Sequence, residues 1–161
     1  MHAGTLDDAE QAARHAIAIA TRWYGPDPAI AIPALVDLGR VRMQRGDRAG
    51  AIAATERALA AARARDPEAR MVADLETTLG KDAEAAGDLA GALAHLDRAA
   101  DLVERLLGPD AAPLGALCTL RAPIARRLGR TGVADHLVAR AAAIAEAVQA
   151  RRERDASRGA Q

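Results

Sequence analysis

Histidine and cysteine are the residue types in this chain that could bind a metal ion or attack a substrate. The candidates are the histidines His2, His15, His95 and His136 and the single cysteine, Cys118. A zinc site needs several ligands that converge on one point, and no cysteine or carboxylate joins these histidines at ligand spacing. A nucleophilic Cys118 would need a neighbouring base and an electropositive site, so a thiol in the core is the simpler interpretation. We therefore predict no metal, no cofactor and no enzymatic activity.

Two short motifs could contact phosphate groups. The sequence GPDP at 25–28 lacks the glycine-rich run and the lysine of a phosphate cradle, which favours a simple turn. The cluster RRLGR at 126–130 is basic, but the chain has 22 basic and 22 acidic residues and no net charge. Aromatic platforms for bases are also scarce, because the chain has one tryptophan, one tyrosine and no phenylalanine. We predict neither nucleic-acid binding nor binding to an anionic membrane surface.

The composition is typical of a helical protein. Alanine supplies 44 of the 161 residues, and leucine, arginine and glutamate also favour helices. A single cysteine cannot form an intrachain disulfide, which favours a reducing compartment. The sequence shows neither a secretory signal nor an apolar run of the ~18 residues that a membrane span needs. These features predict an all-α, cytoplasmic protein.

Self-similarity along the chain adds detail to this prediction. Four glycines recur at intervals of 42, 41 and 42 residues: Gly4, Gly46, Gly87 and Gly129. Alanine follows each of them after five residues and again after twelve. Seven residues before the last three stands a very small residue, which is Gly39, Gly80 or Ala122. The turn sequences YGPDP at 24–28 and LGPD at 107–110 also recur in this register. We interpret the pattern as a repeat with two helices in each unit.

Polar residues in the turns set the predicted helix boundaries. Aspartate and threonine can accept hydrogen bonds from the free amides of a first helical turn. The expected caps are Asp27, Asp66 and Asp110 for the first helix of each pair, and Thr5, Asp47, Asp88 and Thr131 for the second. Seven helices are predicted, at about 5–23, 28–45, 47–65, 67–86, 88–107, 111–128 and 130–152. They form one domain over 1–153, followed by a frayed polar tail at 154–161.

The register of small residues resembles tetratricopeptide repeats of the long, 42-residue kind found in kinesin light chains and many bacterial regulators. The resemblance covers about residues 4–150. It depends on the LGPD turn, on the sequence G-D-x-A-G-A at Gly46 and Gly87, and on the spaced small residues. It implies a right-handed α-solenoid of stacked antiparallel helix pairs. Where this family places large apolar residues, the chain has residues such as Arg42, Thr55 and Glu76, which predicts a lean core and modest stability.

The resemblance also implies where a partner binds. In this family the first helices line a concave face that binds an extended peptide or a helix, so we expect a protein partner and a scaffolding role. Carried onto this chain, that face includes Val36, Asp37, Arg40, Met43, Gln44, Asp74, Thr77, Thr78, Lys81, Glu84, Thr119, Arg126 and Arg127. The asparagine pair with which kinesin-light-chain-like repeats grip a peptide backbone is replaced here by pairs such as Thr77–Thr78, which could exchange hydrogen bonds with a peptide.

Two other functions stay open at this stage. The array begins with a second-type helix at 5–23, and its face with Ala9, Ala13, Ala16 and Ile17 has no covering helix in the sequence. Either the chain is a piece of a longer protein, or another chain covers that face. The first alternative predicts a regulatory repeat domain of a larger bacterial signalling protein or transcription regulator. The second predicts a self-assembly module that forms a homo-oligomer through helix 5–23.

Overall fold

The computed structural model describes residues 3–159, and the prediction of an all-α fold with seven helices is confirmed. No β-strand occurs within that range. The helices are α1 (Ala3–Tyr24), α2 (Ile32–Gln44), α3 (Arg48–Arg65), α4 (Arg70–Ala86), α5 (Leu89–Leu107), α6 (Ala112–Arg127) and α7 (Thr131–Gly159). A short 3₁₀ helix at Ala29–Ala31 precedes α2. His2 lies outside the described residues.

The helices form antiparallel pairs that stack in chain order. α2 packs with α3, α4 with α5 and α6 with α7, while α3–α4 and α5–α6 contacts join the pairs and α1 packs on α2. We call α2, α4 and α6 the first helices. One large cluster of buried side chains extends from Ala13 on α1 to Ile144 on α7, and a smaller one joins α6 to α7 around Cys118 and Ala134. Each pair therefore shares its core with its neighbours, as in a solenoid.

Residues without side chains allow the paired helices to approach closely. A Cβ atom added at Gly39 of α2 would lie 3.3 Å from the carbonyl oxygen of Ala51 on α3. At Gly80 of α4 the added atom would lie 3.2 Å from the carbonyl oxygen of Ala92 on α5. Ala51 and Ala92 are themselves buried. The small residues of the repeat thus mark the helix crossings, as the sequence predicts.

The repeat glycines end the first helices and prepare the start of the second. Gly46, Gly87 and Gly129 have φ values of 80°, 89° and 75°, in the left-handed region that glycine enters without strain. The next residue is a cap in two cases. Asp47 accepts a hydrogen bond from the amide of Gly50 at 2.9 Å, and Asp88 accepts one from the amide of Gly91 at 2.8 Å. Both predicted caps are confirmed.

The expected caps of the first helices are wrong. The N-cap positions belong to Ala31, Ala69 and Ala111, and no side chain caps these helices. Asp27, at φ 43°, instead accepts hydrogen bonds from Arg57 on α3 at 2.9 and 2.6 Å. Asp66 ends α3 and accepts a hydrogen bond from the amide of Glu68 at 3.1 Å. Asp110 lies in the turn before Ala111, and α6 starts at Ala112.

The two terminal helices also differ from their predicted bounds. α1 begins by Ala3, so Gly4 and Thr5 lie within the helix rather than at a turn. Thr131 is the first helical residue of α7 rather than the residue before it. α7 continues through Gly159, so the expected frayed tail is helical over 154–159. Arginine and alanine there favour a helix, and no glycine or proline interrupts the segment before Gly159.

Candidate functional site

A groove of about 330 Å³ lies between α2 and α4, and we call it the α2–α4 groove. One wall consists of side chains of α2, namely Val36, Arg40, Met43 and Gln44. The other wall consists of side chains of α4, namely Leu75, Thr78 and Asp82. Each wall residue lies three or four positions from another of the same wall, as Arg40 does from Val36, Met43 and Gln44, which places them on one face of the helix. Two first helices therefore build this site.

The floor of the α2–α4 groove depends on Gly39 and Thr55, which also line it. Thr55 is buried, and its hydroxyl donates a hydrogen bond to the carbonyl oxygen of Ala51 at 3.0 Å. A Cβ atom at position 39 would lie 2.9 Å from the Thr55 hydroxyl oxygen. The glycine therefore leaves the floor open, and the threonine offers oxygen lone pairs beneath it.

The walls combine apolar surface with a polar rim. Val36 is 39% exposed, Met43 is half-buried, and Leu75 is buried at the base. Methionine adapts its shape to the group that it contacts. The guanidinium of Arg40 donates a hydrogen bond to Asp37 at 2.7 Å and keeps further donors exposed to solvent. The groove can therefore hold an apolar side chain and offer hydrogen bonds to groups beside it.

Asp82 gives the α2–α4 groove a carboxyl group with a raised pKa. Burial raises the pKa of Asp82 above its ordinary value of 3.8, and the positive charge of Lys81 opposes this only in part. Burial acts in this direction because it disfavours the charged form of a carboxyl group. A cationic group that enters the groove would relieve the unfavourable environment of the Asp82 carboxylate.

The other predicted site residues lie outside the α2–α4 groove. Glu84 accepts a hydrogen bond from Arg127 at 3.0 Å, which joins α4 to α6, and Arg126 donates to Asp135 of α7 at 2.9 Å. Asp37 and Lys81 are exposed neighbours of the groove residues Arg40 and Asp82, and Asp74 faces Arg70 at 4.0 Å. The structure thus brings together five of the predicted residues: Val36, Arg40, Met43, Gln44 and Thr78.

The predicted threonines already use their hydroxyl hydrogens. Thr77 donates to the carbonyl of Ala73 at 2.8 Å, Thr78 to that of Asp74 at 3.0 Å and Thr119 to that of Gly115 at 3.0 Å. In this arrangement they can accept hydrogen bonds from a peptide but cannot also donate. Thr119 lines a different groove, between α6 and α7.

Sequence reasoning missed Leu75 and Asp82 in the wall and Gly39 and Thr55 in the floor. The wall residues could have been found, because Leu75, Thr78 and Asp82 follow the helical spacing of three and four. The floor residues were harder to predict from the sequence. Thr55 belongs to α3 and reaches the groove only because Gly39 has no side chain.

A buried carboxylate at the crossing of α3, α4 and α5 was also missed as a charged centre. Glu76 is 1% exposed and accepts hydrogen bonds from Arg98 at 3.0 Å and from Arg63. The Nδ1 atom of His95 lies 2.7 Å from Glu76 and 2.8 Å from Nη2 of Arg98. Since the guanidinium can only donate, Nδ1 can satisfy one of these two contacts at a time. The only signal in the sequence was a glutamate where the repeat favours an apolar residue.

A second buried carboxylate joins α1 to α2. The Glu10 carboxylate forms ion pairs with Arg14 at 2.7 Å and with Arg42 at 3.4 Å, and it also contacts Arg45. These residues line an open cavity of about 540 Å³. The arginine at position 42, which replaces the large apolar residue of the repeat, therefore has a partner on α1. The cluster explains how α1 is anchored despite its thin alanine side chains.

The remaining cysteine and histidine candidates include Cys118 and His136. Cys118 is fully buried and forms no disulfide, in agreement with its interpretation as a core residue. His136 is exposed on α7. Within residues 3–159 no three histidine, cysteine or acidic side chains gather closely enough to hold a metal ion. Over the same residues no helix combines the length and the apolar character needed to cross a membrane.

Comparison with known proteins supports the fold. No protein-family model and no curated protein sequence matches the chain. Among solved structures, BtubC (BKLC) from P. vanneervenii superposes with a TM-score of 0.82 and 20% sequence identity; the match covers 91% of this chain but 59% of BtubC. A putative kinesin light chain from Podosopora anserina with nearly identical TPR-like repeats gives a TM-score of 0.74 at 17% identity, covering 88% of this chain and 67% of that one. MamA gives 0.56 at 16% identity, covering 91% and 92%.

These identities are low, so the likeness establishes the architecture rather than an activity. The chain has a tetratricopeptide-like repeat fold, a solenoid of stacked helix pairs. The resemblance seen in the sequence is confirmed at this level.

Proposed function

We propose that the chain is a protein-interaction module that binds a partner protein in the α2–α4 groove, on the concave face of the solenoid. The observation that carries the proposal is the groove itself, where two first helices place an apolar strip between polar groups. Binding, rather than catalysis, is what such a surface supports, because peptide recognition uses pockets for side chains and hydrogen-bonding groups for the main chain.

The chemistry of the α2–α4 groove favours one kind of peptide. An apolar side chain would pack between Val36, Met43 and Leu75 and be removed from water there. A neighbouring lysine or arginine of the peptide would face Asp82. The hydroxyl oxygen of Thr78 would accept a hydrogen bond from a peptide amide. We therefore propose an extended segment in which an apolar residue lies next to a basic one.

The remaining predicted residues would extend this contact beyond the groove. Glu84 and Arg127 form an exposed ion pair between α4 and α6, and a partner could exchange its own charges with theirs. The outer set consists of Asp37, Asp74, Thr77, Lys81, Glu84, Thr119, Arg126 and Arg127. We expect smaller contributions from it, because exposed ion pairs are worth about 0–1 kcal/mol.

We place the protein in the cytoplasm. The chain has a single cysteine, Cys118, which is buried in the core and forms no disulfide. Reduced cysteines are the rule in reducing compartments, whereas exported domains use disulfides.

Peptides selected from a random library against the full chain provide the test. Their affinity for variants of two exposed valines is then compared by calorimetry. Val36→Glu places a charge in the apolar strip and is expected to weaken binding about tenfold or more, since burying a charge without a partner is unfavourable. Val138→Glu makes the same change on α7, where the valine is 51% exposed, and should leave the affinity unchanged. Equal affinities for both variants would refute the α2–α4 groove as the binding site.

A further inference from the structure

α1 carries an apolar stripe that the described part of the chain leaves uncovered. The stripe consists of Ala9, Ala12, Ala16, Ile19 and Trp23, and all five are exposed. Ile19 is 49% and Trp23 74% exposed. The spacing of three and four residues places them along one line of the helix, as in the seam of a coiled coil. Contiguous apolar surface of this kind marks an interaction site.

This stripe is separate from the side of α1 that faces the core. The buried apolar residues of α1 are Ala13, Ile17 and Ala20, which pack into the main cluster. Each of them follows a stripe residue by one position, which corresponds to a rotation of about 100° around the helix. α1 therefore has two apolar sides, and only one of them is satisfied by α2.

The repeat shows what kind of element fits the stripe. Ala9 occupies the repeat position of Ala51 and Ala92, which are buried beneath the first helix of their own pairs. Beside it lies an open groove of about 500 Å³ between α1 and α2, to which Ile30 and Pro33 also contribute. Ile30 is 63% exposed. The stripe on α1 therefore matches the surface on which the second helices of the other pairs bind an antiparallel first helix.

We propose that α1 of a second copy of the chain occupies this surface, in a two-fold symmetric, antiparallel dimer. The stripe is graded from small to large along the helix, from Ala9 and Ala12 to Ile19 and Trp23. An antiparallel alignment places Ile19 of each copy over Ala9 of the other, so a large side chain packs against a small one at both ends of the interface. Such self-complementarity is the requirement for an isologous interface.

The charges at the edge of the stripe favour the same arrangement. Asp8 and Arg22 are exposed, and each precedes a stripe residue by one position. Asp7 and Arg14 on the same helix are paired with Arg45 and Glu10, whereas within residues 3–159 neither Asp8 nor Arg22 has a partner. The antiparallel alignment that sets Ala9 against Ile19 also brings Asp8 beside Arg22 of the second copy, twice. A parallel alignment would keep Asp8 of one copy about 21 Å from Arg22 of the other, at about 1.5 Å of rise per residue, so the two charges could not pair.

Light scattering of the full chain across a range of concentrations measures the proposed dimer directly. Trp23, the only tryptophan, reports the interface independently, because its emission should shift to the blue as the chains associate. Ile19→Glu is expected to give a monomer of unchanged helicity, while Val133→Glu on α7, a 47% exposed valine, should leave the dimer intact. A wild-type chain that stays monomeric at hundreds of micromolar overturns the proposal.

A charge exchange tests the orientation and does not depend on the fate of Ile19→Glu. Asp8→Arg and Arg22→Asp should each weaken the dimer about tenfold, because each sets like charges against one another at both ends. The double variant restores opposite charges and should recover an affinity close to wild type. A double variant as weak as the single ones, or a dimer indifferent to both, contradicts the antiparallel α1 pairing.

Peptide binding in the α2–α4 groove does not enter this experiment. Each proposal can therefore fail without the other.

Discussion

The Oε2 atom of Glu76 on α4 lies 2.7 Å from the Nδ1 atom of His95 on α5, at a depth where almost no water reaches the carboxylate. The same carboxylate accepts hydrogen bonds from Arg98 on α5 and Arg63 on α3. Three helices of two adjacent repeats therefore meet at one buried charge. A buried carboxylate tolerates this position only because its partners compensate for lost hydration.

Removing the charge of Glu76 should destabilise the fold, and replacing the side chain by an apolar one should not. Glu76→Gln keeps a buried polar group but turns one acceptor oxygen into an NH₂ group that can only donate, and we expect a loss of about 1–3 kcal/mol. Glu76→Leu buries no polar group, and Arg63 and Arg98, which are about half exposed, can turn to water. Glu76→Leu places an apolar side chain where equivalent repeat positions hold Leu35 and Cys118, and its stability should be close to wild type or higher. Urea denaturation followed by far-UV circular dichroism measures both.

Glu104→Gln is the matched control for Glu76→Gln. Glu104 also accepts a hydrogen bond from an arginine, Arg140 at 2.6 Å, but it is partly exposed. Its loss should cost less than about 1 kcal/mol, since water can replace the partner. If Glu76→Leu proves as unstable as Glu76→Gln, the ion pairs and not the burial of the carboxylate dominate this site.

The helix crossing of the second complete pair should resist a single added methyl group. In Gly80→Ala the new Cβ would lie 2.6 Å from Cγ of Leu96 and 3.2 Å from the carbonyl oxygen of Ala92, so α4 and α5 must move apart. We expect a loss of about 1–3 kcal/mol from overpacking, although alanine favours a helix over glycine by about 1 kcal/mol. Ala92→Leu overpacks the same crossing from the other side and should cost a similar amount.

Gly132→Ala separates packing from helix propensity. Gly132 lies in the first turn of α7, and a Cβ there would meet no atom within 4 Å. The substitution should leave stability unchanged or raise it by up to about 1 kcal/mol. Thermal melts of the two glycine variants should therefore shift in opposite directions or differ clearly in size, and equal shifts would show that the crossing at Gly80 is not tightly packed.

The repeat made the architecture predictable, because positions where two helix backbones approach closely must hold glycine or alanine, and these residues are visible in the sequence. Gly80 and Ala92 could be paired from spacing alone, since a crossing of two helices excludes larger side chains. Charged residues leave no such record. Asp27 was expected to cap α2, but its carboxylate binds Arg57, which is 30 residues away. Nothing near Asp27 in the sequence distinguishes these two uses of a carboxylate.

The candidate site was predictable in part for the same reason. The wall of α2 follows from the helical spacing of Val36, Arg40 and Met43 once the first helices are assigned to the concave face. The floor required knowledge of how deeply Thr55 of α3 sits behind Gly39. Glu76 stood out as a departure from the apolar pattern, yet its partners are spread over two other helices, so its environment became clear only from the packed structure.

The aspartates before α5 and α6 should differ in their contribution to stability although the sequence gives them the same role. Asp88 accepts a hydrogen bond from the amide of Gly91 at the start of α5. Asp88→Ala removes this cap and should cost about 1 kcal/mol. Asp110 lies one residue before the N-cap residue Ala111, so Asp110→Ala should have almost no effect. Chemical denaturation of the two variants tests this, and equal losses would mean that Asp110 also stabilises a helix start.

Asp82 should make the stability of the folded chain depend on pH. Because burial raises the pKa of Asp82 above 3.8 in the folded state, the folded chain holds this proton more tightly than the unfolded chain. The stability contributed by the group is therefore lost as the pH rises above 3.8 through the folded-state pKa. Asp82→Asn, which stays neutral, should match the wild type in acid and become the more stable protein towards neutral pH.

Urea denaturation of wild type and Asp82→Asn at several pH values measures this difference, with Asp101→Asn on the exposed face of α5 as the control for loss of one negative charge. Effects of other titrating groups cancel, because the two proteins are compared at each pH. A bound peptide with a basic residue facing Asp82 should narrow the difference in stability between wild type and Asp82→Asn, since the added positive charge favours the carboxylate. An Asp82→Asn variant that is less stable than wild type at neutral pH would show instead that attraction to Lys81 outweighs burial.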